Sequence, residues 1–222
     1  PRNREQKLTA LREVLKKEGA DYLLTSKLDD IAWIFNLRGS DVPDNPVFYA
    51  YSLIPAKGNA TLFINEEKVP ADLKEQLAEE GVVLAPYHSV GATLASLSSG
   101  TVLADPEEIN ASLLSRLPEQ ITQLELPNPI ELMKALKTPE EIELISEAML
   151  KDGVALVRFF AWLDRNLGKE EMTEQSLADK LLYFRKSLPG YISLSFETIS
   201  AFGPNAALPH YQPEKTGGAQ IR

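Results

Sequence analysis

The sequence predicts an α/β protein in two parts. Residues 1–127 read as a mixed-sheet layer domain with flanking helices, and residues 128–222 as a separate α+β part. Three observations carry this. Short apolar runs alternate with amphipathic stretches through the first part, the pattern of strands layered against helices. A proline-punctuated stretch, Glu125-Leu-Pro-Asn-Pro129, then interrupts the alternation. Two much longer helical stretches, a strand candidate and a stiff loop follow it.

In the first part, Leu8, Leu11, Val14 and Leu15 fall at helical spacing, so residues 4–18 form an amphipathic helix stopped by Gly19. Asp21 to Thr25 is a short buried strand. Lys27 to Phe35 is a short helix entered near Ser26, turning Ile31, Trp33 and Phe35 towards packing partners. Pro46 to Ile54 is a continuous apolar strand, and Lys57-Gly58-Asn59 turns it into a hairpin with Ala60 to Ile64. Helices over 71–80, 90–97 and 111–116 then alternate with strands over 82–85 and 102–104.

In the second part, Thr138-Pro139-Glu140-Glu141 is a capping box. Thr138 caps, Pro139 fits the first turn, Glu141 reaches back, and the carboxylates face the positive end of the helix dipole. The helix runs to about Leu167 with Ile142, Ile145, Met149, Leu156, Phe159, Phe160 and Leu163 on its apolar face, and Gly168 ends it. Thr173 caps another helix through Leu177, Leu181 and Phe184, which stops before Pro189-Gly190. Leu194 to Ala201 alternates as a strand around Thr198-Ile199. Gly203-Pro204-Asn205 breaks it, two alanines follow, and Pro209 stiffens the path into His210 and Tyr211. The loop delivers one imidazole and one phenol to a definite place.

Composition excludes several classes. A net charge of −9 argues against unaided binding to nucleic acid or an anionic membrane. No run approaches the roughly 18 apolar residues of a spanning helix. With no cysteine there is no disulfide, no thiolate nucleophile and no Cys-based zinc site, as fits a reducing cytoplasm. The N-terminus carries no signal-peptide pattern. The chain opens on Pro1 and closes on Gly217-Gly-Ala-Gln-Ile-Arg222, which reads as a piece of a longer protein.

The Trp33–Phe48 block sets Asn36, Arg38, Asp41 and Asn45 between apolar flanks. It reads as a buried Arg38–Asp41 pair with side-chain caps fixing a loop, ahead of a surface near a catalytic pocket. Glu140, Glu141 and Glu143 are capping and solvated charges rather than metal ligands, and Lys151 and Asp152 are helix-surface charges. His88 has no partner at metal-binding spacing and is structural or exposed. Gly217-Gly218 lacks the Lys-Ser/Thr and helix of a phosphate loop.

The run Phe196-Glu-Thr-Ile-Ser with Gly203-Pro204-Asn205-Ala and His210-Tyr211 resembles the start of the catalytic domain of the aminopeptidase P (Xaa-Pro aminopeptidase) family. Asp30-Ile-Ala-Trp-Ile-Phe-Asn-Leu-Arg-Gly-Ser-Asp41-Val, with Asn45-Pro-Val-Phe48, resembles the middle domain of its three-domain members. The resemblance implies a creatinase N-terminal-like domain followed by the opening of a pita-bread metallopeptidase domain. It implies release of an N-terminal residue preceding proline, a homodimer, and two divalent metal ions, as a rule manganese, sharing an attacking hydroxide. By similarity His210 is the catalytic and substrate-binding residue, a donor beside the metals that helps hold the developing charge. The family's metal ligands, two Asp, one His and two Glu, lie beyond the His-Tyr loop. Nothing after Tyr211 is Asp or His, and Glu214 alone does not fit the pattern, so no metal is expected on this chain and it is expected to be inactive alone. Two other readings share the fold: a metal-free peptidase-like module that binds proteins, as in certain histone chaperones, and a creatinase-like amidinohydrolase. The Trp33–Asp41 block argues against the second.

Overall fold

The computed structural model describes residues 2–213 and 217–222, and the Glu214 singled out above lies outside them. The chain forms two compact units, Pro1–Val42 with Pro46–Lys137 and Pro43–Asn45 with Thr138–Arg222.

The first unit is a six-stranded mixed sheet in the order β4-β3-β2-β1-β5-β6. Its strands are β1 (Tyr22–Thr25), β2 (Tyr51–Pro55), β3 (Ala60–Ile64), β4 (Val82–Pro86), β5 (Thr101–Ala104) and β6 (Thr122–Glu125). Only β2 runs against its neighbours, so the carboxyl ends of the other five share one edge of the sheet. The helices are α1 (Arg4–Glu18), α2 (Leu28–Phe35), α3 (Ala71–Glu79), α4 (Val90–Ala95), α5 (Ala111–Leu114) and α6 (Pro129–Ala135).

Side chains on a strand alternate between faces, and here both faces are covered. Leu23, Ile54, Leu62 and Leu103 join Leu8, Leu11, Leu15, Ile31, Ile34, Phe35 and Ile130 in one core. Their strand neighbours Leu24, Leu53, Phe63 and Val102 join Val90, Leu94, Ile109, Leu117 and Ile121 in the other. Burial on both sides explains why these strands read as continuous apolar runs, each such side chain stabilising the fold by about 1.5–3 kcal/mol.

The helix over 4–18 and the hairpin over 51–64 follow the sequence reading. Three details differ. The strand expected over 46–54 starts only at Tyr51, because Gly39 N–H donates to Pro46 O and Asp41 N–H to Val47 O. That pairing belongs to the 39–49 loop, and Gly39 permits it: a Cβ there would lie 2.7 Å from the Phe48 Cβ. The N-cap of α2 is Lys27 without a side-chain cap, while the Ser26 hydroxyl donates to Glu108 O. The proline stretch also does not end the unit. Strand β6 precedes it and α6 follows, with Ile130 wholly buried.

The second unit holds α7 (Pro139–Asn166), β7 (Met172–Thr173), α8 (Glu174–Lys186) and β8 (Gln220–Ile221), with β7 and β8 antiparallel. Thr138 and Glu141 close the expected capping box. Asp152 is not a free surface charge; it receives two hydrogen bonds from Arg185 of α8, at 2.6 and 3.2 Å. Of the apolar face read along α7, Phe159 is buried but Met149 and Phe160 stay 64% and 59% exposed. Among the described residues no ladder forms over 194–201, where a strand was expected. Alternation signals a strand, but a strand forms only against a partner edge.

Candidate functional site

The site centres on the loop that carries His210. Thr173 caps α8 by accepting from Ser176 N at 3.2 Å, which places Glu174 in the first helical turn. Glu174 is fully buried. Its carboxylate accepts from Phe202 N at 2.6 Å, the Asn205 amide at 3.1 and 3.2 Å, the Tyr211 hydroxyl at 2.7 Å and Ala219 N at 2.8 Å. Asn205 also reaches the Tyr211 oxygen at 3.0 Å. Burial pushes the carboxyl up, but the bonds from Ala219, Tyr211, Phe202 and Asn205 outweigh it and hold the group down at about 2.

The glycine pair now has a structural reason. Gly218 sits at φ +68, and a Cβ there would fall 2.6 Å from Glu174 Oε2. Only a bare backbone comes that close. Gly217 O accepts from Gln175 N and Ala219 O from Glu174 N, which lays this backbone against the start of α8.

Gly203–Ala207 is a 3₁₀ turn, where a break after a strand was expected and no strand precedes it among the described residues. His210 lies exposed at its far end with φ 57, the left-handed region, which costs a residue other than glycine about 1–2 kcal/mol. An exposed imidazole on a strained, tied backbone can offer an N–H to a bound peptide. The sequence singled out His210 but not Glu174. The signal was available, since an acidic residue directly after a capping Thr invites a check of what donors surround it.

Elsewhere the site expectations change. Arg38 and Asp41 do not pair. Arg38 is exposed, while Asp41 accepts from Lys68 Nζ at 2.7 Å and Tyr49 N at 2.8 Å. The pairing and that backbone bond hold the Asp41 carboxyl low. His88 is exposed on the rim of a cavity of about 750 Å³ with Tyr49, Lys68 and Tyr87, at the carboxyl ends of β3 and β4. Asn128 ties the carboxyl ends of β1, β5 and β6 together. Its amide donates to Thr25 Oγ1 at 3.1 Å and to Asp30 Oδ2 and Glu108 Oε2 at 3.0 Å, and its N–H to Asp105 Oδ2 at 3.0 Å. Lys134 donates to Asp30 at 2.6 Å and to Asp29.

Among the described residues no three His, Cys, Asp or Glu side chains gather as a metal site requires. Glu174, the buried acid bonded to the loop that carries His210, already spends its oxygens on N–H and O–H donors. The described residues therefore do not fit the two ions that the resemblance implies.

Comparison with known families places these features. Residues 2–141 match the model of the creatinase/prolidase N-terminal domain. The chain belongs to that family. Beyond this creatinase/prolidase N-terminal domain, residues 143–221 match metallopeptidase family M24. The chain is 38% identical to an Xaa-Pro aminopeptidase of Dictyostelium discoideum over 97% of its own length and 35% of the relative's. It is 37% identical to a probable Xaa-Pro aminopeptidase P of Sordaria macrospora over 95% and 36%. It spans about a third of those relatives. The solved X-prolyl aminopeptidase of Caenorhabditis elegans, described as a cytosolic enzyme with a di-nuclear active site, matches 99% of the chain at TM-score 0.90 and 32% identity, over 37% of its own chain. A prolidase of Thermococcus sibiricus matches all of it at TM-score 0.70 and 22% identity, over 59% of that chain, and shares the fold. The fold is thus a mixed-sheet creatinase-type domain followed by the start of a pita-bread domain.

Proposed function

We propose that this chain works within a longer metal-dependent Xaa-Pro aminopeptidase that releases an N-terminal residue preceding proline. What carries the reading is the near end-to-end match, at TM-score 0.90, to an enzyme that bears this activity in its name. The exposed faces of α7 support it. Leu150, Val157 and Met149 are 72%, 69% and 64% exposed, and a helix apolar on several sides belongs inside a larger domain. Residues outside this chain would cover it and supply the metal ligands.

In such an enzyme the ligands of two divalent ions would come from residues outside this chain, and the ions would supply Lewis-acid chemistry at the scissile carbonyl. This chain's contribution is His210. Its exposed N–H donates to the peptide where negative charge develops, at an angle set by the tied loop. Manganese, a cytoplasmic location, a homodimer and peptides with proline second belong to the same reading. Its supports are the cytosolic relative with a di-nuclear site and the absence, among the described residues, of a helix long and apolar enough to cross a membrane.

The test is hydrolysis of an Arg-Pro-Pro peptide by the full-length protein with added manganese. Activity is expected, and His210→Ala should lower kcat about 10²–10³-fold with KM little changed. A full-length protein that leaves the peptide intact, or a variant as fast as the parent, overturns the proposal.

A further inference from the structure

We propose that Glu174 is the positioning residue of His210: one buried carboxylate grips the loop on both sides of the histidine and fixes the direction of its ring. The inference rests on the reading of His210 above. A fully buried carboxylate is costly to desolvate, and no cation pairs with Glu174 among the described residues. Its partners are instead Phe202 and Asn205 before the histidine and Tyr211 and Ala219 after it. All of them donate hydrogen to it, so the position demands a group that only accepts. A glutamine of the same length would turn an NH₂ towards one of these donors.

The grip also explains how His210 keeps φ 57. A left-handed residue other than glycine persists only where its surroundings over-determine it. Asn205 and Tyr211 bracket His210 in sequence and are bonded to each other as well as to Glu174. Gly218 completes the cage by leaving space beside Oε2. The carboxylate touches no substrate; it acts through the loop.

The test combines kinetics on the full-length protein with a spectrum of the 222-residue chain. Glu174→Gln should lower kcat on Arg-Pro-Pro about 10²-fold, the scale expected when a reacting group is misplaced by about an ångström, with KM little changed. Asn205→Ala, which removes one donor and leaves the carboxylate, should do the same more weakly. Both losses should vanish in a His210→Ala background, because a residue that works through the imidazole has nothing left to position. Losses of equal size in both backgrounds, or full activity in Glu174→Gln, overturn the proposal. The spectrum stands apart from catalysis. The chain has two histidines, so in Glu174→Gln the His210 ring resonance should broaden or split while His88 stays in place. An unchanged His210 resonance overturns the proposal even if the protein proves not to be an aminopeptidase. Absent peptidase activity with a broadened resonance rejects the functional reading alone.

Discussion

The two units treat their apolar side chains in opposite ways. In the first, helices cover both faces of the sheet, and Leu11, Leu15, Leu23, Ile31 and Phe63 lose all contact with water. In the second, the buried positions among the described residues are Ala155, Phe159, Met172, Glu174 and Leu181, while Leu144, Leu150, Val157 and Ile192 remain open. The units also differ in how they bury a carboxylate. Asp30 has a lysine against it; among the described residues the partners of Glu174 are neutral donors. The first unit is closed by its own elements, whereas the second, among the described residues, leaves most of its large apolar side chains open and buries Glu174 in a cage of donors.

The largest expected effect probes that contrast directly. Leu11→Ala should destabilise the first unit by about 3–5 kcal/mol in urea unfolding of this chain, since a sealed core cannot collapse onto the cavity. Leu150→Ala should change stability by no more than about 0.5 kcal/mol, because the side chain is 72% exposed. Comparable losses would mean that α7 is covered in solution and that the units are not so different.

A second, somewhat smaller effect concerns the paired carboxylate. Lys134→Met strands Asp30, which has no exposed surface, and should cost about 3 kcal/mol by the same measurement. Adding Asp30→Asn should recover part of the loss, since the stranded charge rather than the missing lysine is what destabilises. A double variant as unstable as the sum of its parts would show that the pair is not the unit of stability here.

Much of the fold was legible because it is written in local chemistry. Gly19 ends α1, Thr138 and Glu141 start α7, and Thr173 starts α8 just where side-chain caps and a glycine say they should. What the sequence hid was decided at a distance. The apolar run 46–54 gave its first half to a loop because Gly39 lets a backbone approach. The short β6, exposed along much of its length, carries no pattern strong enough to announce an edge strand. The proline stretch looked like a linker because its prolines are local and the partners of Asn128 are not: Thr25, Asp30 and Glu108 are 103, 98 and 20 residues away. For the proposed site, the stiff loop and His210 are expectations from composition and resemblance. The carboxylate bonded to that loop, Glu174, lies 36 residues before His210 and shows itself only when the chain folds back.

The carboxylates of the two units should finally part company on acidification. Burial raises the Asp30 carboxyl above its ordinary 3.8, and burial likewise raises Glu108 above 4.5, against the pull of Lys134 and of Asn128. A raised carboxyl favours folding most when protonated, so these groups help the first unit at low pH and help less as pH climbs through their folded values. Glu174, held at about 2 against an ordinary 4.5, has the opposite sign. Its contribution is complete above about 4.5 and is lost as pH falls towards 2. Each unit carries one of the chain's two tryptophans, Trp33 in α2 and Trp162 in α7, so Trp33→Phe and Trp162→Phe variants report on one unit at a time. Between pH 5 and 2 the Trp162 signal should move first, and Glu174→Gln, which has no proton to take up there, should flatten that early change. A Trp33 transition that precedes it would show that the lysine-paired acid, and not the caged one, is the weaker point.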